Sequence, residues 1–407
     1  MMQKVIAKTV FWTNEDKAPV QFPWLDSRVS CEIAIIGGGI AGALAALRFA
    51  ENGIDVLLVS ESPIGFGATA AAPGVISCQL DGGLAGLADK IGMDNAVKVF
   101  EMCTQSIANV DELCSSLETD TGFTRRDSLV YTARLVMSEA MKKEYLARRH
   151  NGFDVELLEQ AKARDRFSFN IQMGILTRDG AAECDPYKLT HAVAKAATEQ
   201  GARIYENTSV TEILCENSGY RITTENGKTV DANKVIFATG LENAHQLSGL
   251  ASVKTTFTVV TAPVSAISGW HNSAVITSAD YPYIRLRTTP DNRVVINGLE
   301  SGFPGGFVGE LLPRQQLYDK KFAELESRLI EMFPAIHGIT PEFAYCGETT
   351  KTVDSLPVIG EADENGLYYA LCAGENGIAF ADIAATMLVA HYKGETHPDM
   401  ELFSPNR

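Results

Sequence analysis

The chain has 407 residues, a length that supports a large core and two or three domains. Its formal net charge of -16 repels polyanions and argues against a nucleic acid partner. Eight cysteines (Cys31, Cys78, Cys103, Cys114, Cys184, Cys215, Cys346, Cys372) without paired spacing point away from a metal centre or a disulfide framework. No apolar run approaches the roughly 20 residues of a membrane helix, so a reduced, cytoplasmic protein is expected.

In chain order, Val10 to Ser30 carries Phe11, Trp12, Phe22, Pro23, Trp24 and Leu25 without clear periodicity. It reads as a surface arm (residues 1–30) anchored by burial of Trp12 and Trp24. Glu32 to Ile36 is a mostly apolar strand that runs into Gly37-Gly-Gly39-Ile40-Ala41-Gly42 and an alanine-rich helix. Gly37 permits the tight turn, Gly39 lets backbone approach a pyrophosphate, and Gly42 lets the helix pack closely on the strand. Asn52-Gly53 stops the helix before a second strand, Asp55 to Val59, completing the context of a nucleotide cofactor site. The strand usually ends in an acid for the ribose hydroxyls; here that position is Ser60, able to make a single weaker bond, followed by Glu61, which either reaches back to the ribose or is a solvated loop acid. No Arg or Lys lies between Arg48 and Lys90, which disfavours a 2′-phosphate and hence NADP.

Ile64 to Ser77 is a run of small residues, including Gly67, Ala68, Thr69, Gly74, Val75 and Ile76, whose backbone can lie against a ligand. Helical spacing follows over Leu84 to Glu118 and Ser138 to Arg149, read as a separate covering layer. Asp185-Pro186 opens a helix, Tyr187 to Gln200, followed by the strand Arg203 to Tyr205. A meander then runs from Val210 through Asn226-Gly227 into Val235 to Gly240. Lys254 to Leu299 is strand-rich and reads as an antiparallel sheet. A long helix, Arg314 to Phe333, leads to two last strands and a terminal helix, Ile378 to Tyr392, opened by Gly374, Asn376 and Gly377. None of the seven histidines shows metal-ligand spacing, and Tyr345 and Asp382 need only packing or helix-surface explanations.

Taken together, Gly37 to Gly42, Gly65 to Thr69 with Gly74, Asp185-Pro186, Ala238-Thr239-Gly240, Gly347, and Asp354 to Gly360 resemble the D-amino acid oxidase and glycine oxidase family of FAD enzymes. The aromatic arm resembles the gamma-glutamylputrescine oxidase-like branch. The resemblance implies an α/β fold. A Rossmann-like FAD-binding domain of the glutathione reductase type (31–90, 183–250, 341–407) would join an α+β substrate domain with a mixed or antiparallel sheet (91–182, 251–340). It implies FAD with its adenine near Val210, its phosphates on Gly37 to Gly42 and Ala238 to Gly240, and its ring system under the second sheet. N–H groups at the start of the terminal helix, around Gly374, Asn376, Gly377 and Ile378, would stabilise the negative charge of reduced flavin.

Family members anchor a substrate carboxylate on an Arg between Gly347 and Asp354; here that stretch reads Glu348-Thr-Thr-Lys-Thr-Val353, with Thr349 at the matching place. Either Lys351 or another strand supplies the charge, or the substrate is not a simple amino acid. In Tyr283-Ile-Arg285-Leu-Arg287, alternation puts Tyr283, Arg285 and Arg287 on one face, which is either an acid-binding face or a solvated one. Related sarcosine oxidases attach FAD through a Cys near this segment; Cys346 stands one position away from that place, which Gly347 holds, and reads as a buried structural thiol. The implied chemistry is oxidation of a small amine or amino acid by hydride transfer to flavin, giving an imine. The alternatives are an FAD-dependent dehydrogenase of a hydroxy acid or polyol, and a flavin-binding subunit without turnover.

Overall fold

A computed structural model describes residues 10–14, 19–216, 219–240, 251–265, 267–301, 314–336, 339–362, 366–372, 374, 376–395 and 397–407. Two sheets organise it. In the first, Leu367–Leu371, Thr229–Phe237, Val29–Ile36, Val56–Val59 and Arg203–Tyr205 run parallel in that spatial order. Val358–Glu361 adds an antiparallel edge, and the meander Val210–Glu216 and Gly219–Thr224 pairs back onto Thr229–Phe237. The central strands are buried on both faces, which is why they read as nearly continuous apolar runs. Ile33 and Ile35 point to the helices, whereas Ala34 and Ile36 point to the layer holding Leu25 and Tyr220.

The helix layer on this sheet contains Ile40–Glu51, Pro186–Glu199 and Gly377–Tyr392. The last is apolar on nearly all sides, as befits a helix with no solvated face. Its Asp382, expected on a helix surface, is buried, and the Asn109 amide and Arg48 hold it at 2.8 and 3.8 Å. The partner Asn109 comes from a helix the sequence places elsewhere. Leu84 to Glu118 divides at Gly92, whose φ of +83° no helix continues, into Gly83–Ile91 and Met93–Ser116. Both pieces join the core of the nucleotide sheet instead of forming a separate layer.

The second sheet runs Pro341–Thr352, Ala251–Thr261, Val294–Ser301, Ile284–Thr288, Val275–Ser278, Thr124–Thr132, Met173–Glu183, Val75–Ser77, with Val155–Glu159 beside Met173–Glu183. It is antiparallel except where Val275–Ser278 meets Thr124–Thr132. Residues 341–352 and 75–77, expected with the FAD-binding layer, therefore hydrogen-bond into this sheet. One sheet face, with Phe257, Leu286, Ile296 and Leu129, buries the helix Arg314–Met332 through Leu325 and Leu329. The other face turns toward the nucleotide sheet. In the arm, Trp12 is buried as expected, but Trp24 is 65% exposed, because the chain there runs along the outside of the first sheet and Leu25 fills the pocket instead.

Candidate active site

The two sheets enclose a cavity of about 1350 Å³. It starts at the glycine turn. A Cβ on Gly37, which sits at φ +122°, would lie 2.5 Å from the Ala238 carbonyl oxygen, and one on Gly42 would lie 1.9 Å from the Gly37 carbonyl oxygen. The first glycine keeps the strand end against Ala238-Thr239-Gly240, and the third lets the helix seat on the turn. The Thr69 hydroxyl accepts the Ile40 N–H at 3.2 Å, tying the small-residue loop to the helix start. Gly37, Gly39, Ile40, Ala41, Gly67, Ala68, Thr69, Val210, Ala238, Thr239 and Gly240 all line this end, as do Ser60 and Glu61. The Ser60 hydroxyl donates to the Ser62 carbonyl at 2.7 Å, whereas Glu61 is exposed.

Gly74, Val75, Gly347, Gly374, Gly377 and Ile378 line the middle of the cavity. Three residues expected at the cofactor stand behind its wall. Gly42 is buried under the turn, Ile76 belongs to the helix-side core, and the Asn376 side chain brackets Ser77, accepting its N–H at 3.0 Å and donating to its carbonyl at 2.6 Å. A side chain at position 347 would meet the Ala71 methyl at 2.6 Å, so the wall here is built for a glycine. Cys346 points its side chain among the core residues of the opposite sheet face, and burial pushes its thiol up to about 11.

The far end lies under the second sheet, where alternation gathers polar groups on one face. Arg285 pairs in register with Thr277 on one side and Asn297 on the other, and all three line the cavity together with Tyr283. Arg285 is 8% exposed and its Nε donates to the Thr277 hydroxyl at 3.4 Å. Ile284 and Leu286 face the long helix. The face shared by Tyr283, Arg285 and Arg287 is therefore interior, and the solvated alternative does not hold. Arg287 departs from the expected anchoring role: it is 1% exposed, its guanidinium lies 4.8 Å over the Trp12 ring, and it is not among the described residues lining the cavity. The arm covers that end of the strand face. Lys351, the other candidate anchor, is engaged by Asp81 and lies 3.8 Å from Glu300.

Sequence reasoning passed over Asp81, Asn297, Glu300, Glu144 and Arg148, all on the cavity wall. Glu144 accepts the N–H groups of Leu84 and Ala85 at 2.7 Å each and the Arg148 Nε at 2.6 Å, capping the helix that starts at Gly83. The only trace in the sequence is an i,i+4 pair on a polar helix, which is indistinguishable from a surface pair.

A glycine-turn groove that opens beneath a second, polar-faced sheet is the arrangement of a dinucleotide-dependent oxidoreductase. Residues 32–391 match the family of FAD dependent oxidoreductases (DAO), and the chain belongs to that family; it is an FAD-dependent oxidoreductase. The cavity of about 1350 Å³ runs from the glycine turn to the second sheet, and a Cβ on Gly67 or Gly240 in its wall would meet nothing within 4 Å, which leaves room for such a group. The chain is 24% identical to gamma-glutamylputrescine oxidoreductase of Escherichia coli, over 92% of this chain and 86% of that protein. It is 25% identical to glycine oxidase of Geobacillus kaustophilus, over 92% and 97%. The crystal structure of glycine oxidase from Geobacillus kaustophilus superposes with a TM-score of 0.77 at 21% identity, covering 93% of this chain and 99% of that one. Among the described residues no helix is long and apolar enough to cross a membrane.

Proposed function

We propose that the protein oxidises the C–N bond of a small amine that carries a carboxylate, an amino acid or N-substituted amino acid, to the imine. The observation that carries this reading is Arg285, a buried guanidinium on the cavity wall with the Tyr283 ring, the Thr277 hydroxyl and the Asn297 amide around it. A charge kept out of water is well suited to pair with an incoming anion, and a guanidinium matches a carboxylate with two parallel N–H bonds. Gly37, Gly39, Ile40, Ala41 and Ala238 to Gly240 would hold the pyrophosphate, Ser60 or Glu61 the ribose, and Val210 the adenine. Gly74, Val75, Gly347, Gly374, Gly377 and Ile378 would border the ring system. FAD supplies the hydride acceptor. The protein's part is placement: Arg285 fixes the carboxylate end, so the C–H beside nitrogen is held at one place, and the enclosed wall favours the neutral amine whose lone pair assists loss of hydride. Water then hydrolyses the imine.

The test is an anaerobic absorbance screen of the holoprotein with glycine, sarcosine, D-amino acids, polyamine derivatives and hydroxy acids. Bleaching of the flavin band by an amino acid supports the proposal. Bleaching by hydroxy acids alone replaces it with the dehydrogenase reading, and no bleaching by any compound with either group favours a flavin-binding subunit without turnover.

A further inference from the structure

The loop that forms the middle of the cavity wall is held from behind by three donors. The Trp12 indole N–H donates to the Ala72 carbonyl at 2.9 Å. The Gly74 carbonyl accepts both the Cys184 N–H at 3.0 Å and an Arg287 guanidinium N–H at 3.1 Å. The guanidinium stacks over the Trp12 ring at 4.8 Å, so two of the donors also hold each other. Around them Phe11, Val260, Val295 and Tyr345 form an apolar cluster that keeps water away. Glu183, fully buried and held by Arg126 at 2.6 Å, supplies the nearby negative charge.

In a trans peptide the C=O and N–H point in opposite directions. Pinning the Gly74 carbonyl toward Cys184 and Arg287 therefore turns the Val75 N–H away from them. Two residues on, the Ser77 N–H meets Asn376 on that same strand edge, next to Gly377 and Ile378 on the cavity wall. The Val75 N–H thus leaves the strand on the edge away from Met173–Glu183, at a residue that lines the cavity, its direction set by the donors behind the loop.

We propose that Arg287 and Trp12 are positioning residues that brace the Ala72–Val75 loop behind the flavin, presenting the Val75 N–H to the ring system and setting how tightly FAD is held and how easily it is reduced. This rests on the FAD assignment and is independent of which substrate the cavity takes. The N-terminal arm thereby becomes part of the cofactor site, although no described arm residue lines the cavity.

The test compares holoproteins of R287M, R287K and W12F with the wild type. Three quantities are read: the rate of FAD release from its fluorescence gain, the position of the visible flavin bands, and the midpoint potential by dye equilibration. R287M should release FAD about tenfold faster, the effect of one charge-assisted hydrogen bond. Its bands should shift, and its potential should fall because a nearby positive charge favours reduced flavin. R287K should recover most of this, and W12F, which keeps an aromatic ring but loses the N–H, should speed release about threefold and move the bands and potential in the same direction by a smaller amount. KM for the best reductant should stay within about twofold in W12F. If R287M fails to fold, W12F decides. Wild-type release rate, bands and potential in the variants overturn the brace; so does an R287M effect confined to KM, which would return Arg287 to a substrate-anchoring role.

Discussion

Arg285 and Arg287 stand two residues apart on one strand face, yet their surroundings assign them different work. Arg285 opens onto the cavity beside Tyr283 and Thr277, and Arg287 is closed over by Trp12 and pinned to Gly74. R285M should raise KM for carboxylate-bearing reductants by about 10- to 100-fold, the range for losing a charge-assisted pair. FAD content should stay at the wild-type level, so steady-state kinetics with a flavin count per chain checks both halves. Period-two alternation made the shared face legible in sequence. What it left open was which arginine the arm covers, because Trp12 reaches Arg287 across 275 positions of chain. Trp12 and Trp24 illustrate the same limit: both look like anchors, and only the fold shows that one is buried and the other exposed.

At the scale of elements, the strand, glycine turn and helix from Val29 to Glu51 was readable because each glycine there answers a local demand. Gly42→Ala should be costly, because its methyl would need the space of the Gly37 carbonyl oxygen, 1.9 Å away. A loss of about 3 kcal/mol or more is expected, with FAD-depleted protein, as a turn that cannot simply repack must open. Gly53→Ala makes the control: its φ is +73°, but the methyl would meet nothing within 4 Å, so only about 1 kcal/mol is expected. Denaturant melts and flavin absorbance of the two variants check the contrast. The elements that sequence reading misassigned are those defined by distant partners. Pro341–Thr352 has no local mark of belonging beside Ala251–Thr261, and Met93–Ser116 carries an ordinary amphipathic pattern that fits any layer.

Across the whole molecule, the helix Pro186–Glu199 places His191 under the small-residue loop, fully buried, with its ring 4.5 Å from that of Tyr187. Burial holds its pKa down, to about 4 from an ordinary 6.5. Folded protein therefore keeps His191 neutral where the unfolded chain would protonate it. Stability from this group is complete above about pH 6.5 and is lost as the pH falls toward 4, by up to about 3 kcal/mol. Melts of the wild type between pH 7 and 4.5 should show the decline, and His191→Phe should flatten it; parallel curves for the two proteins would contradict the assignment. The global picture of a nucleotide sheet beneath a second sheet followed from motifs spread along the chain. The wall between them did not, since it is assembled from residues of both sheets, the small-residue loop and the capped helix at Gly83.

The proposed recognition of an amine through a carboxylate held at Arg285 can be tested on the flavin itself. The most direct measurement is the rate of anaerobic flavin reduction by sarcosine and by dimethylamine, which lacks the carboxylate, in the wild type and in R285M. Wild-type protein should be reduced far more efficiently by sarcosine, and R285M should lower that preference by at least tenfold. An unchanged preference in R285M, or reduction of the wild type by dimethylamine as efficient as by sarcosine, would contradict it.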